Sequence, residues 1–183
     1  MKRIIAIVAL IIISTTFCAN ASASENFAGS SAALLKSVRE KTPDSRVKIL
    51  KEFLKQYNSP LVHFAPTFIE TADRYNLDWK LVVAISGVES TFGREIPYES
   101  FNGWGWGIYG DNMIRFSSWK EGIETVSQGL RINYINKWGA QNVYEIGRFY
   151  AASPTWASRV TYFMKSIDIF KDQKLAQSLS ISL

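Results

Sequence analysis

Apolar residues recur every three or four positions over most of the chain beyond residue 31, a spacing that places them on one face of an α-helix. Proline, or a side chain that can cap a helix such as Asp, Asn or Ser, precedes several of these stretches. The pattern predicts helices over residues 32–40, 42–57, 59–75 with a kink or restart at Pro66, 79–90, 119–135 and 143–150, and a last helix from Ser153 that frays after Lys171.

Helical spacing stops between residues 94 and 116, where glycine, proline and aromatic residues dominate. The short extended runs in this region predict an irregular loop with a small β-hairpin, whose turn lies at residues 110–112. Because the sequence contains no internal repeat and no linker between two apolar segments, we expect one domain. Its predicted class is mainly α, an α+β arrangement in which a small β-hairpin follows the helix over residues 79–90.

The first residues have a different character from the rest of the chain. Lys2 and Arg3 precede an apolar run over residues 4–17, and small residues surround Ala21 and Ala23. This order is typical of a secretory signal peptide, which we expect to be cleaved after Ala21 or Ala23. The run is shorter than the roughly 20 residues that span a bilayer, so we expect no stable membrane insertion after cleavage. The predicted location is the periplasm, the cell wall or the medium.

The predicted organisation is a signal peptide over residues 1–23, a helical extension over 24–58, the main domain over 59–171 and a flexible tail over 172–183. The only cysteine, Cys18, lies in the signal segment, so the remainder must fold without disulfides. Removing that segment leaves 19 basic and 16 acidic residues. A small positive charge suits an anionic surface such as a wall polymer, or equally a solvated surface with a slight lysine excess. No basic run interleaved with aromatic residues indicates nucleic-acid binding.

One acidic residue falls on the apolar face of a predicted helix. Val82, Ile85 and Glu89 are spaced i, i+3 and i+7, which predicts that the carboxyl lies on the face that enters the core. Burial, together with the negative end of the helix dipole, is expected to raise the pKa of Glu89. A carboxyl that stays protonated near neutral pH is what acid-catalysed cleavage of a sugar linkage requires. Glu89 is therefore the predicted catalytic residue.

Three segments together resemble a known group of enzymes. Residues 84–93 (AISGVESTFG), 105–109 (GWGIY) and 149–154 (FYAASP) are similar to motifs of the lysozyme-like superfamily, in particular of the lytic transglycosylases and glucosaminidases that cut peptidoglycan. The resemblance covers residues 60–169 and implies a lysozyme-like fold acting on MurNAc–GlcNAc glycan strands, with Glu89 as catalytic acid. The family's Met-Gln pair and Asn-Ala-Gly sequence are replaced here, which leaves open whether the reaction is hydrolysis or transglycosylation.

The resemblance and the aromatic loop also indicate where substrate binds. Aromatic side chains present flat apolar faces that suit sugar rings, although at least one tryptophan is expected to cover the β element instead. Asn102 is predicted either to bind an acetamido group or to start a turn, and Tyr150 either to lie beside Glu89 or to pack in the core. The predicted substrate-binding residues are Ser90, Asn102, Trp104, Trp106, Gly107, Tyr109 and Tyr150.

A second carboxylate separates the alternatives for the mechanism. Glycosidases usually pair two carboxyls, and the candidates in the loop are Glu95, Glu99 and Asp111. The resemblance to transglycosylases implies instead that one glutamate acts first as acid and then as base, giving a 1,6-anhydro product. A hydrolase with a second loop carboxylate and a non-catalytic wall-binding module remain alternatives. Because His63 is the only histidine and no cluster of Cys and His is present, we predict no metal and no Ser-His-Asp triad. We also predict no cofactor and expect a monomer.

Overall fold

The structure is a computed structural model that describes residues 44–107 and 112–180. The predicted signal peptide and the predicted helix over 32–40 lie outside the described residues. The described chain is mainly α-helical, as predicted. Its elements are α1 (Ser45–Gln56), a 3₁₀ helix (Pro60–Phe64), α2 (Ala65–Arg74), α3 (Leu81–Ser90), α4 (Trp119–Gly129), a π-helical segment (Leu130–Lys137), α5 (Val143–Tyr150) and α6 (Trp156–Ser180).

Local capping determines where several helices begin. The Ser118 side chain accepts a hydrogen bond from the backbone N–H of Glu121 at 3.2 Å, and the Asn142 side chain accepts one from Glu145 at 3.0 Å. Each bond satisfies a backbone N–H that has no partner inside the helix. The expectation that Ser and Asn side chains cap helix starts is confirmed at these two positions, and α5 has the predicted bounds. The last helix continues past Lys171 to Ser180.

Helix α3 lies at the centre of the core. It is buried on every side from Leu81 to Gly87 and packs most extensively against α6. Helix α1 contributes Leu50, Phe53 and Leu54 to the same core. The largest fully buried side chains are Trp104, Phe53, Phe92, Leu50, Leu54, Leu61, Ile85, Ile123, Leu130 and Ile167.

The predicted β-hairpin is not supported, because the described parts of the loop after α3 contain no strand and only a single bridge residue, Asn112. Side-chain hydrogen bonds of Asn102 take the place of the backbone hydrogen bonds that would pair two strands. Its side-chain amide donates to the carbonyl oxygens of Trp106 at 2.8 Å and Ile114 at 2.9 Å, which joins the two arms of the loop. Left-handed φ angles near +60° at Gly105 and Gly107 interrupt the extended backbone that a strand needs.

Within residues 44–107 and 112–180, no helix combines the length and the apolar character that crossing a membrane requires.

Candidate active site

The catalytic candidate Glu89 lies in the last turn of α3. Thr91 and Phe92 take left-handed φ angles of 52° and 57°, and the Phe92 N–H bonds to the Ser86 carbonyl at 3.0 Å. This turn directs the Phe92 ring back beneath the helix into the core, where it is fully buried. Left-handed backbone is unusual for a β-branched residue such as Thr91, so the surrounding packing must hold the turn in place.

The predicted burial of the face that carries Glu89 is correct for two of its three residues. Val82 and Ile85 are buried, whereas Glu89 as a whole is exposed. The reason is that α3 ends one residue later, so its last turn reaches beyond the core to the surface. The carboxyl is consequently open to a ligand rather than sealed inside the protein.

Two groups hold the carboxyl end of Glu89. The indole Nε1–H of Trp156 donates a 2.6 Å hydrogen bond to Oε1. On the other side the backbone of Gly105 lies so close that a Cβ there would be 3.2 Å from Oε2. Although part of the residue faces solvent, this enclosure raises the pKa of Glu89 above its ordinary value. The Trp156 hydrogen bond and the charge of Arg159 oppose that rise by favouring the carboxylate, and desolvation outweighs them.

A surface depression opens directly at Glu89. Its volume is about 550 Å³, and it lies between the end of α3, the beginning of α6 and Tyr57. Arg159 and Tyr162 from α6 line it, as does Glu95 from the loop after α3. The depression therefore combines one cationic side chain, that of Arg159, with the carboxyl groups of Glu89 and Glu95.

A second depression, of about 360 Å³, lies on the Gly105 side. It is lined mainly by aromatic residues from the loop, the π-helical segment and α5. Neighbouring rings contact one another, with centroid separations from 4.6 to 5.9 Å. Trp156 of α6 does not line the depression but stacks on Tyr150, and we call the six connected rings the aromatic cluster: Trp106, Tyr134, Trp138, Phe149, Tyr150 and Trp156.

Tyr150 connects the aromatic cluster to the loop. Its hydroxyl donates to the Trp104 carbonyl at 2.6 Å, and its ring stacks on Trp156 with a centroid distance of 4.6 Å. Burial of the hydroxyl end, with the nearby Glu89 charge, raises the pKa of Tyr150 well above its ordinary value. The phenol therefore stays neutral, and its hydrogen is committed to the Trp104 carbonyl. Tyr150 lies near Glu89, as the resemblance implied, and its contacts make it a support for the site.

Three of the predicted binding residues are buried and have structural partners. Trp104 is fully buried, and its indole donates to the Val82 carbonyl at 2.9 Å, so its ring presents no face to a ligand. The side-chain N–H groups of Asn102 donate to the two loop carbonyls described above, and its Oδ1 accepts the Trp106 N–H at 3.0 Å. The Ser90 hydroxyl lies between the Ser86 and Gly103 carbonyls and accepts the N–H of Gly93.

The remaining binding candidates have mixed positions. Trp106 is half-buried and lines the second depression, the one beside Gly105, which we call the aromatic depression. Gly107 lines it too, with a left-handed φ of 64°, and a Cβ at this position would overlap Ile114. Tyr109 lies outside the described residues. The structure thus brings Glu89, Trp106, Gly107 and Tyr150 to one region of the surface.

The three candidates for a second carboxyl differ in position. Glu95 lines the same depression as Glu89, whereas Glu99 is exposed elsewhere on the loop, and Asp111 lies outside the described residues. His63 is exposed in the 3₁₀ helix. Among the described residues, no group of His, Cys, Asp and Glu side chains is arranged to hold a metal ion.

Sequence reasoning did not identify the two α6 residues that act on the carboxyl of Glu89, Trp156 through its hydrogen bond and Arg159 through its charge. Both lie in the first turn of α6, next to the segment that resembles the family's tyrosine motif. An indole and a cation spaced three apart after that motif were the available signal. Tyr134, Trp138 and Phe149 could not have been found without knowing how the π-helical segment meets α5.

Comparison with protein-family models gives no match to this chain. Comparison with curated protein sequences gives no match either. The assignment of a function therefore depends on the site itself and on the motif resemblance.

Proposed function

We propose that this protein is an exported enzyme that cleaves the MurNAc–GlcNAc glycan of peptidoglycan, as a lytic transglycosylase with Glu89 as its acid and base. The observation that carries the proposal is the environment of the Glu89 carboxyl. It is reachable from a surface depression, its pKa is raised, and it is held between an indole donor and a glycine backbone. That combination suits a group that must give up a proton near neutral pH.

The proposed reaction needs only one carboxyl group. Protonated Glu89 donates its hydrogen to the oxygen that bridges the two sugars, and the bond from that oxygen to the MurNAc C1 breaks. The carboxylate then takes the hydrogen of the MurNAc C6 hydroxyl while the C6 oxygen bonds to C1, which closes a 1,6-anhydro ring and returns Glu89 to its acid form. General acid–base assistance of this kind typically supplies about 10² to 10⁴ in rate.

Sugar binding is assigned to the aromatic depression beside Gly105. Trp138 and Phe149 are 44% and 53% exposed, so their rings are available to a ligand. Flat aromatic faces suit the apolar faces of sugar rings. Gly105 lines this depression and also lies against Glu89, which supports a glycan path that passes from the aromatic depression to the carboxyl.

The second candidate function is hydrolysis by a glucosaminidase or muramidase. Glu95 favours it, because this exposed carboxyl lines the same depression as Glu89 and is open to solvent. In that mechanism Glu95 would activate a water molecule or stabilise the developing charge. The third is a wall-binding module without turnover, which the aromatic depression alone would suffice to support.

The test is digestion of purified peptidoglycan, with mass spectrometry of the soluble fragments. The variants are Glu89→Gln, Glu95→Gln and, as a matched control in the same loop, Glu99→Gln. The proposal expects anhydro ends from wild type, Glu95→Gln and Glu99→Gln, and no fragments from Glu89→Gln. Reducing ends that disappear in Glu95→Gln would establish the hydrolase instead. Binding to insoluble wall without fragments from any variant would establish the binding module.

Export is part of the same proposal and is supported by the leader pattern of residues 1–23. Cleavage after Ala21 or Ala23 gives a mature chain that begins at Ser22 or Ser24. The intact mass of the protein recovered from its cells or medium tests this directly. A mass that includes residues 1–21 would contradict it.

A further inference from the structure

Trp156 is held rigidly beside the catalytic candidate. The residue is 2% exposed, and its ring stacks on Tyr150 at an interplanar angle of 22°. Its other neighbour is Gly147, where a Cβ would be 3.1 Å from the indole Cε3. Because these contacts fix the plane of the ring, they also fix the direction of its N–H.

An indole nitrogen can donate a hydrogen bond but cannot accept one. The Nε1–H of Trp156 points at Oε1 of Glu89 over 2.6 Å, so this oxygen must act as the acceptor. If Oε1 carried the acid proton pointing toward Trp156, two hydrogens would face each other across that short distance. An Oε1 that carried the proton in another direction would be a poorer acceptor for this bond, so the acid form of Glu89 favours the other oxygen, Oε2, as the site of its proton.

Oε2 lies on the side of Gly105. A Cβ built at this residue would lie 3.2 Å from Oε2, which is tighter than an ordinary contact, so the missing side chain leaves room next to that oxygen. Gly105 also has a left-handed φ of 61°, which glycine adopts without strain. The hydrogen of Glu89 is therefore presented toward the free space beside Gly105.

We propose that Trp156 is a positioning residue that places the acid proton of Glu89 on Oε2, so that the bridging oxygen of the glycan is protonated from the Gly105 side. This inference rests on the proposed function for its catalytic meaning, while the hydrogen bond between Trp156 and Glu89 can be measured without turnover.

Several other groups face Glu89, and all of them remain in place when Trp156 is substituted. Arg159 from α6 favours the carboxylate, and Tyr150 from α5 is neutral. Glu95, Tyr57 and Tyr162 share the depression. Since none of these changes when the indole is removed, a shift in Glu89 titration reports on the Trp156 hydrogen bond.

The experiment is Trp156→Phe, which keeps a ring against Tyr150 and removes the N–H. Hydrogen bonds to a charged group stabilise it, so the pKa of Glu89 should rise by about 0.5 to 1 unit when the donor is lost. The measurement is a ¹³C NMR titration of the labelled Glu89 carboxyl. Trp119→Phe is the matched control, because it also removes a mostly buried indole, and it should leave the titration of Glu89 unchanged.

Activity gives a second readout that a merely structural residue would not move. With peptidoglycan as substrate, the alkaline limb of the rate profile should shift upward with the pKa in Trp156→Phe, and kcat should fall more than KM rises. In Trp119→Phe the limb should stay in place. An unshifted carboxyl titration and an unshifted limb in a folded Trp156→Phe protein would overturn the inference.

A further measurement avoids the risk that Trp156→Phe does not fold. In the wild-type protein the indole ¹H–¹⁵N signal of Trp156 should titrate with the pKa of Glu89, and that titration should vanish in Glu89→Gln. A Trp156 signal that does not follow Glu89 would overturn the inference. Failure of wall cleavage, with these titrations as expected, would instead count against the proposed function alone.

Discussion

Gly87 is the position where the packing of the candidate site can be tested most sharply. It lies on α3, two residues before Glu89, and the ring of Phe92 folds back against it. A Cβ at this position would stand 2.7 Å from the Phe92 Cζ and 3.0 Å from the Phe163 Cδ2. Real Cβ atoms essentially never approach another heavy atom to 2.7 Å, so an alanine must displace the Phe92 ring. That ring is fully buried and has little room to move.

Two opposing effects decide the sign of the change in stability. Replacing glycine by alanine inside a helix stabilises it by about 0.5–1 kcal/mol. Overpacking a filled core destabilises by about 1–3 kcal/mol. We therefore expect Gly87→Ala to lower the free energy of unfolding by about 0.5–2 kcal/mol, because the close contact is with a buried ring rather than with the end of a flexible chain.

The assay is urea unfolding of Gly87→Ala, Phe92→Leu and the double variant. In the Phe92→Leu background the close contact is relieved, so the alanine should cost almost nothing or stabilise the helix. A coupling of about 1–2 kcal/mol between the two positions follows. Equal effects of Gly87→Ala in both backgrounds, or stabilisation of the protein that retains Phe92, would refute the packing argument.

Three further predictions concern the loop, the support of the site and the surface. Asn102→Ala should lower the free energy of unfolding by about 2–3 kcal/mol, because two carbonyls lose their donor; a urea midpoint within error of wild type would contradict this. Tyr150→Phe should cost about 1–2 kcal/mol through the Trp104 carbonyl, and should slow wall cleavage less than Glu89→Gln does; equal loss of rate would indicate a direct catalytic role. Arg46 bonds Asp44 and Asp73 and lowers the pKa of both. Arg46→Ala should therefore cost about 0.5–1 kcal/mol at neutral pH. An aspartate with a lowered pKa stabilises the fold above its unfolded pKa. The stability difference between wild type and Arg46→Ala should therefore narrow below about pH 3.9. Thermal unfolding that shows the same difference at lower pH would contradict the assignment.

Features governed by local interactions could be predicted from the sequence. Asn142 and Glu145 form their cap within one turn, so the bounds of α5 follow from neighbouring residues alone. The end of α3 is similar, because its left-handed turn is completed between Ser90 and Gly93. The helical character of the chain was predictable for the same reason.

Features governed by distant contacts could not be predicted in this way. The predicted hairpin is not supported in the described residues, where one buried side chain, Asn102, bonds backbone groups 4 and 12 residues away in place of a strand ladder. The partner of Glu89 is Trp156, 67 residues further along the chain. The exposure of Glu89 depends on where the surrounding helices end, and periodicity within α3 contains no information about that.

The central claim is that Glu89 supplies the proton for cleavage, and the rate at which peptidoglycan is solubilised by wild type and by Glu89→Gln tests it most directly. Glutamine keeps the shape and can still accept the Trp156 hydrogen bond, but it has no acid proton to give. We predict that the initial rate of fragment release falls by about 10²-fold or more in Glu89→Gln. A folded Glu89→Gln protein that releases fragments at the wild-type rate would contradict the claim.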